Sequence, residues 1–344
     1  MNPNLILVWL SLLLTPCAFS QNTFRVMFYN VENLFDIIDE PDKQDEEFTP
    51  EGSRHWNNYR YYKKLNNLAK VITSVGEWET PALIGMCEVE NEKVVKDLAL
   101  YSPLKKMQYR YVVTQSEDAR GIDVALLYQR DKFKYLQHEG IRIVFPHNPQ
   151  KKTRDILHVT GEVLTGDTLD VFVCHFPSRR GGEFESEPDR LHVASVVREK
   201  TDSLMAVRPH ACILIMGDFN DEPSNKSMRQ LGNEKNEGNE KNEKNERNGL
   251  WNLWLPLEKK SKTGSYKFRD QWNFLDQIIV SKNLLNAGNS FHVLPETATI
   301  FQAGFLLIDD TTHGGKRPKK TFHGYKYEGG FSDHLPVFVD FVMK

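Results

Sequence analysis

The chain has 344 residues, of which 40% are hydrophobic and 26% charged, with 44 Lys and Arg against 47 Asp and Glu and a formal net charge of -3. That is enough apolar material for a full core, and an aromatic content of 11% excludes a largely disordered chain. The charge balance gives no global attraction to nucleic acid, so polyanion binding would have to use a local basic cluster.

At the start, residues 5–14 form an uncharged apolar run, followed by Pro16 and then Ala18, Phe19 and Ser20 before Gln21. This is the pattern of a secretory signal peptide cleaved after Ser20, and it predicts export to the periplasm, cell surface or medium. The run falls short of the roughly 20 apolar residues that span a bilayer. Lipid anchoring at Cys17 is the competing reading, and Pro16 before it is a poor match for such a site.

Beyond the leader, short runs rich in Val, Ile, Phe, Tyr and Leu predict strands at 24–31, 82–89, 124–128, 169–176, 212–218, 274–280 and 335–342. Helical apolar spacing predicts helices over 59–75 and 189–205. Because many strands are nearly continuously apolar, both faces of each sheet should be covered, with sheets packed on each other and helices outside. No linker divides the strand set, so residues 21–344 are expected to form one domain. Residues 233–248 repeat Asn-Glu-Lys-like units without an apolar residue, which reads as a solvated low-complexity insertion in a loop. Cys87, Cys174 and Cys212, an odd number beside apolar runs, predict buried thiols and no disulfide framework.

Polar residues fall at or beside the ends of these strands: Asn30, Glu88, His175, Asp218 with Asn220, and Asp276, while Ser332, Asp333 and His334 precede the last strand. Singly, an Asp or Asn after a strand is more often a turn former than a ligand. Several strands ending this way predict one convergent polar site. Hard oxygen ligands such as Glu88, Asp333 and Asn30 suit Mg²⁺ or Mn²⁺. The chain has neither the His-Glu-x-x-His helix of a zinc protease nor the Gly-x-x-x-x-Gly-Lys-Ser/Thr loop of a P-loop nucleotidase.

The stretches Phe28-Tyr29-Asn30-Val31-Glu32-Asn33, Cys87-Glu88-Val89-Glu90, Arg120-Gly121-Ile122-Asp123-Val124-Ala125, His175-Phe176-Pro177-Ser178, Gly217-Asp218-Phe219-Asn220, Leu275-Asp276-Gln277-Ile278 and Ser332-Asp333-His334-Leu335-Pro336 run in order from residue 24 to the end. Together they resemble the ordered motifs of the endonuclease/exonuclease/phosphatase superfamily, in its secreted bacterial type. The resemblance implies a single α/β domain, the four-layer α-β-β-α sandwich of deoxyribonuclease I. It further implies metal-assisted hydrolysis of a phosphoester by in-line attack of water. By that resemblance Glu88 would bind the principal metal with Asn30 and Asp333 close to it. Asp276 would hold the imidazole of His334, which serves as base or phosphate-polarising donor. Asp218 would orient the water, Asn220 would donate to the phosphate, and His175 would contact phosphoryl oxygen or assist the leaving group.

Asp123 has two readings, a carboxylate partner for His175 or a salt bridge with Arg120. Arg179 and Arg180, ahead of Gly181 and Gly182, read either as a flexible cationic phosphate contact or as a solvated loop. Residues 316–320, with Thr321 and His323, resemble a substrate-flanking loop of secreted bacterial members, and an ordinary exposed turn would look similar. The implied substrate is a phosphoester, with nucleic acid the first expectation, and nothing in the sequence points to an obligate protein partner or away from a monomer. Three functions fit: a nuclease-like phosphodiesterase, a phosphatase or phosphodiesterase on inositol phosphates or lipid head groups, and a binding module that has lost catalysis. The third is disfavoured because all eight principal site residues are present.

Overall fold

The computed structural model describes residues 22–77, 80–232 and 249–344; the leader and the low-complexity stretch at 233–248 lie outside them. Two six-stranded sheets pack face to face. The first runs, edge to edge, Phe291–Ile300, Val337–Met343, Asn22–Leu34, Leu83–Val89, Asp123–Tyr128 and Arg110–Val113. The second runs Phe133–Ile141, Ile156–Val163, Thr168–His175, Cys212–Asp218, Asp276–Ser281 and Leu250–Asn252.

The apolar runs divide by parity, as a pleated strand requires. In Cys212–Asp218, Leu214 and Met216 face the other sheet, whereas Ile213 and Ile215 face outward into a second core beneath a helix. That helix, α3 (Glu183–Val207), closes the second sheet with Val193, Ala194 and Val197. On the opposite outer face lie α1 (Asn58–Gly76) and α2 (Glu92–Tyr101). Each begins at an asparagine whose side chain caps it: Asn57 accepts from the Arg60 N–H at 3.1 Å and Asn91 from the Val94 N–H at 3.1 Å. The result is the four-layer helix–sheet–sheet–helix sandwich. No helix among the described residues is long and apolar enough to cross a membrane. Cys87, Cys174 and Cys212 are buried free thiols.

Strands at Phe133–Ile141, Ile156–Val163 and Phe291–Ile300 and helix α2 are additions to the sequence expectation. Helix α3 starts six residues before the expected 189, carrying Pro188 in its second turn.

Two irregularities aim the site. The parallel pairing of Asn22–Leu34 with Leu83–Val89 shifts register between Asn30 and Leu34, and Leu83–Val89 shifts against Asp123–Tyr128 between Cys87 and Val89. The residues squeezed out are Glu32 and Asn33 in one strand and Glu88 in the other, at φ of 50°, 51° and 62°. Bulges of this kind turn a side chain away from its sheet face.

The second sheet is equally tight where it delivers Asp218. Gly217 pairs with Cys174, and a Cβ on Gly217 would stand 2.5 Å from the Cys174 carbonyl oxygen. Backbone cannot yield there, so Gly217→Ala is expected to cost about 2 kcal/mol or more, read as a lower urea midpoint; an unchanged midpoint would contradict this packing.

Candidate active site

Asp218 ends its strand 2% exposed and holds the centre of a polar cluster between the two sheets. Its Oδ1 accepts from the Asn220 N–H at 3.0 Å, and its Oδ2 accepts from Asn30 Nδ2 at 3.0 Å. Nε2 of His175 and Nε2 of His334 lie 3.7 and 3.8 Å from that same Oδ2. Asn30 also reaches Glu88 Oε1 at 3.4 Å, and Glu88 Oε2 accepts from the Asn33 N–H at 3.0 Å. His334 Nδ1 donates to Asp276 Oδ2 at 2.6 Å, and its ring leans on Tyr266 with centroids 4.7 Å apart. The loop carrying Asp333 and His334 is tied to the first sheet by Ser332, whose hydroxyl donates to the Asn30 carbonyl at 2.7 Å.

The two imidazoles are held in different states. Burial would lower His334, but the carboxylates of Asp276 and Asp218 outweigh it and lift the ring well above its ordinary pKa. His334 is therefore an imidazolium at neutral pH. His175 is driven well below its ordinary value by burial, then by the charges of Arg154, Arg120 and His334, and is neutral. Its Nδ1 is buried without a hydrogen-bond partner, as is Asp276 Oδ1. Burial pushes Asp218 up to about 7, and it raises Asp333 as well.

The donor set fits a hard cation. Glu88, Asp218 and Asp333 are oxygen donors packed into low dielectric, and burial of carboxylates without enough positive charge is what a divalent ion relieves. Among the described residues, two groups of possible ligand atoms lie within 4.8 Å of one another: Asp218 with Asp276 and His334, and Cys87 with His175 and Asp218. In the first, Asp276 Oδ2 is already bonded to His334 Nδ1, and in the second burial raises the Cys87 thiol well above its ordinary value. Neither group includes Glu88 or Asp333, the ligands that the resemblance implies. Asn30 spends its Oδ1 on the Glu32 N–H at 3.0 Å and its Nδ2 on two carboxylates, so it spaces those acids apart.

Asp123 is a correction. It accepts from the Thr114 hydroxyl at 2.6 Å and the Ser116 N–H at 2.8 Å, while Arg120 stands 3.6 Å from Asp118 instead. Asp123 thus anchors a loop and contacts neither His175 nor Arg120. Arg179 is also committed. Its guanidinium donates to the Asn220 carbonyl at 2.7 Å and lies 3.3 Å from each of Asp221, Asn225 and Glu183, so it clamps the loop after Asp218. Arg180 is exposed.

Two buried cations escaped the sequence reading. Arg154 donates to the Phe176 carbonyl at 2.6 Å and to Asp118 at 3.1 Å, which fixes the turn after His175. Nothing in its sequence neighbourhood marks it. Lys64, 1% exposed, donates to the Thr321 hydroxyl and the Phe331 carbonyl, both at 2.6 Å, and stands 3.7 Å from Glu32. Here a signal existed, since Lys64 falls on the apolar stripe of α1 with Tyr61, Leu65, Leu68 and Ile72.

Fold and site support a phosphoester hydrolase on paired sheets. The sequence matches the endonuclease/exonuclease/phosphatase family over residues 25–343, and the chain belongs to that family. No protein of curated function matches the sequence. Among solved structures it is similar in fold to the catalytic domain of human Nocturnin with bound sulfate anion, at 16% identity and a TM-score of 0.54, covering 94% of this chain and 95% of that one. An endonuclease/exonuclease/phosphatase family protein from Bacteroides thetaiotaomicron gives 16% identity and a TM-score of 0.56, covering 95% and 100%. D. rerio TDP2 complexed with single strand DNA product gives 13% identity and a TM-score of 0.56, covering 93% and 99%.

Two measurements check the electrostatics. Asp276→Asn removes the strongest group that raises His334 and leaves its burial, so the imidazole titration followed by NMR should fall; an unchanged titration would contradict the assignment. Glu90, two residues beyond Glu88, is a buried carboxyl whose Oε2 accepts from the Asp36 N–H at 2.6 Å, and burial pushes it up to about 8. The native state keeps a proton that the unfolded chain releases above an ordinary value of 4.5, so this stability is complete below that pH and lost as pH climbs through about 8. Glu90→Gln should therefore gain stability over wild type as pH rises from 5 towards 9, by about 1.4 kcal/mol per pH unit at most within that window. A constant difference across that range would refute it.

Proposed function

We propose that this chain is a divalent-metal-dependent phosphodiesterase of nuclease type, and the observation that carries the reading is the convergence of Asn30, His175 and His334 on the Asp218 carboxylate, with Glu88 joined to them through Asn30. The family and its nuclease-type neighbours support it, among them a structure that holds a single-strand DNA product. Glu88 and Asp333, with Asn30 beside them, would hold Mg²⁺ or Mn²⁺, which when bound supplies a Lewis acid for a phosphoryl oxygen.

The chain's own residues do the rest. Asp218, poised near neutrality, orients the attacking water and accepts its proton. His334, kept charged by Asp276, donates from Nε2 to the phosphoryl oxygen that gains charge. One N–H of the Asn220 carboxamide is used on the Phe176 carbonyl at 3.0 Å, leaving the other for the phosphate. His175, neutral, presents a ring nitrogen to the phosphate or the leaving oxygen. In this reading the apolar run at 5–14 exports the protein, so the substrate is met outside the cytoplasm.

A screen of diesters and monoesters with the protein lacking its leader tests the proposal. Turnover should vanish in chelator and return with Mg²⁺ or Mn²⁺, and His334→Ala or Asp218→Asn should lower kcat by about 10²–10⁴-fold. Turnover indifferent to chelation, or metal binding with no ester hydrolysed, would overturn it.

A further inference from the structure

Beside the catalytic cluster opens a cavity of about 220 Å³, lined by Glu32, Asn33, Phe48, Arg54, Lys320 and Phe322. The cavity adjoins the cluster, because the Asn33 N–H that bonds Glu88 belongs to the bulge that lines it. The role of this cavity is not set by the hydrolytic machinery.

Outward from it, the surface passes over the start of α1 and the hairpin formed by Phe322–His323 and Lys326–Tyr327. Cations and rings interleave along this face. The Arg54 guanidinium lies 4.9 Å from the Phe322 ring centre and 5.6 Å from that of Tyr325. Arg60 lies 4.4 Å from the Tyr327 ring, and Lys63 Nζ lies 5.7 Å from Tyr327 and 6.0 Å from Tyr59. Tyr59 and Tyr325 are 72% and 71% exposed, high for aromatic rings.

The face is locally positive although the chain is not. Glu32 is answered by buried Lys64, Glu47 stands 3.0 Å from Arg54, and Glu328 is held by Arg317 at 2.6 Å. Arg60, Lys63, Lys320 and Lys326 have no carboxylate partner among the described residues. Cations without a carboxylate partner, set among exposed rings, fit a ligand that offers phosphates and flat π-faces together. Single-stranded nucleic acid does so, and a duplex keeps its base faces stacked inside.

We propose that this face and its cavity form a track for single-stranded nucleic acid, stacking bases on Tyr59 and Tyr325 and pairing phosphates with Lys63, Lys320 and Lys326 as the strand enters the catalytic cluster. As a route for substrate, this rests on the phosphodiesterase reading above.

The test measures binding of a fluorescent single-stranded oligonucleotide by anisotropy, in Mg²⁺ and in a His334→Ala background that keeps the strand intact. Tyr59→Ala with Tyr325→Ala should weaken binding by about fivefold or more. Lys63→Ala with Lys326→Ala should also weaken it and should flatten the dependence of log affinity on log salt by roughly 0.7 for each phosphate left unpaired. Circular dichroism melts of both double variants should match the parent, since Tyr59, Tyr325 and Lys326 are exposed and Lys63 is half-buried without a carboxylate partner. Unchanged affinity in both pairs, equal affinity for a duplex of the same sequence, or capture by vesicles containing phosphatidylinositol bisphosphate with no oligonucleotide binding would each overturn the track. Hydrolysis of bis(p-nitrophenyl) phosphate by the unsubstituted protein separates the two ideas. Hydrolysis together with face-independent binding defeats the track alone, and face-dependent binding without any hydrolysis defeats the phosphodiesterase reading alone.

Discussion

One buried carboxylate organises this molecule. Asp218 receives hydrogen bonds from Asn30 of the other sheet and from the Asn220 backbone, and two imidazoles stand within 4 Å of it. Its neighbours come from five separate stretches of chain, so the site exists only when both sheets are formed and packed. The continuous apolar runs thus do more than fill a core: by covering both faces of both sheets, they fix the strand ends to one another. An acid so placed is costly to ionise, and the surrounding groups answer part of that cost with Asn30 and His334.

The backbone around this acid is held in rare conformations. Glu32, Asn33, Glu88 and Asn220 all have φ between 50° and 62°. For residues with a Cβ such states cost of order 1–3 kcal/mol each and persist only when the surroundings over-determine them. Here the restraints are visible. The Glu32 N–H is taken by Asn30, the Asn33 N–H by Glu88, and the Asn220 N–H by Asp218. The side chains that line the site thereby also hold the strained turns that aim them, so geometry and chemistry depend on the same few bonds.

Much of this was legible in the sequence, for a physical reason. Strands buried on both faces advertise themselves as unbroken apolar runs, and their terminal Asn, Glu, His and Asp residues then stand out. The elements that escaped lack that signature. Phe133–Ile141 buries only its first residue, so its composition reads as a loop. Phe291–Ile300 is an edge strand carrying Pro295, and its pairing slips between Leu294 and Thr299. Arg154 and Lys64 are determined by tertiary contacts with segments distant in the chain, which a one-dimensional pattern cannot contain, although a lysine on the apolar stripe of α1 was a partial clue. Arg179 and Asp123 show the converse: charged residues beside motif positions that bond to neighbouring loops.

The claim beneath the proposed function is that the Glu88 and Asp333 carboxylates, beside Asp218, face one divalent ion. Anomalous scattering from crystals grown with Mn²⁺ measures it directly. The account predicts a single strong peak in contact with the Glu88 carboxylate, at about 2.1 Å as for a hard octahedral cation, with Asp333 alongside, and loss of that peak in Glu88→Gln. A peak elsewhere on the molecule, or one that survives the substitution unchanged, would contradict it.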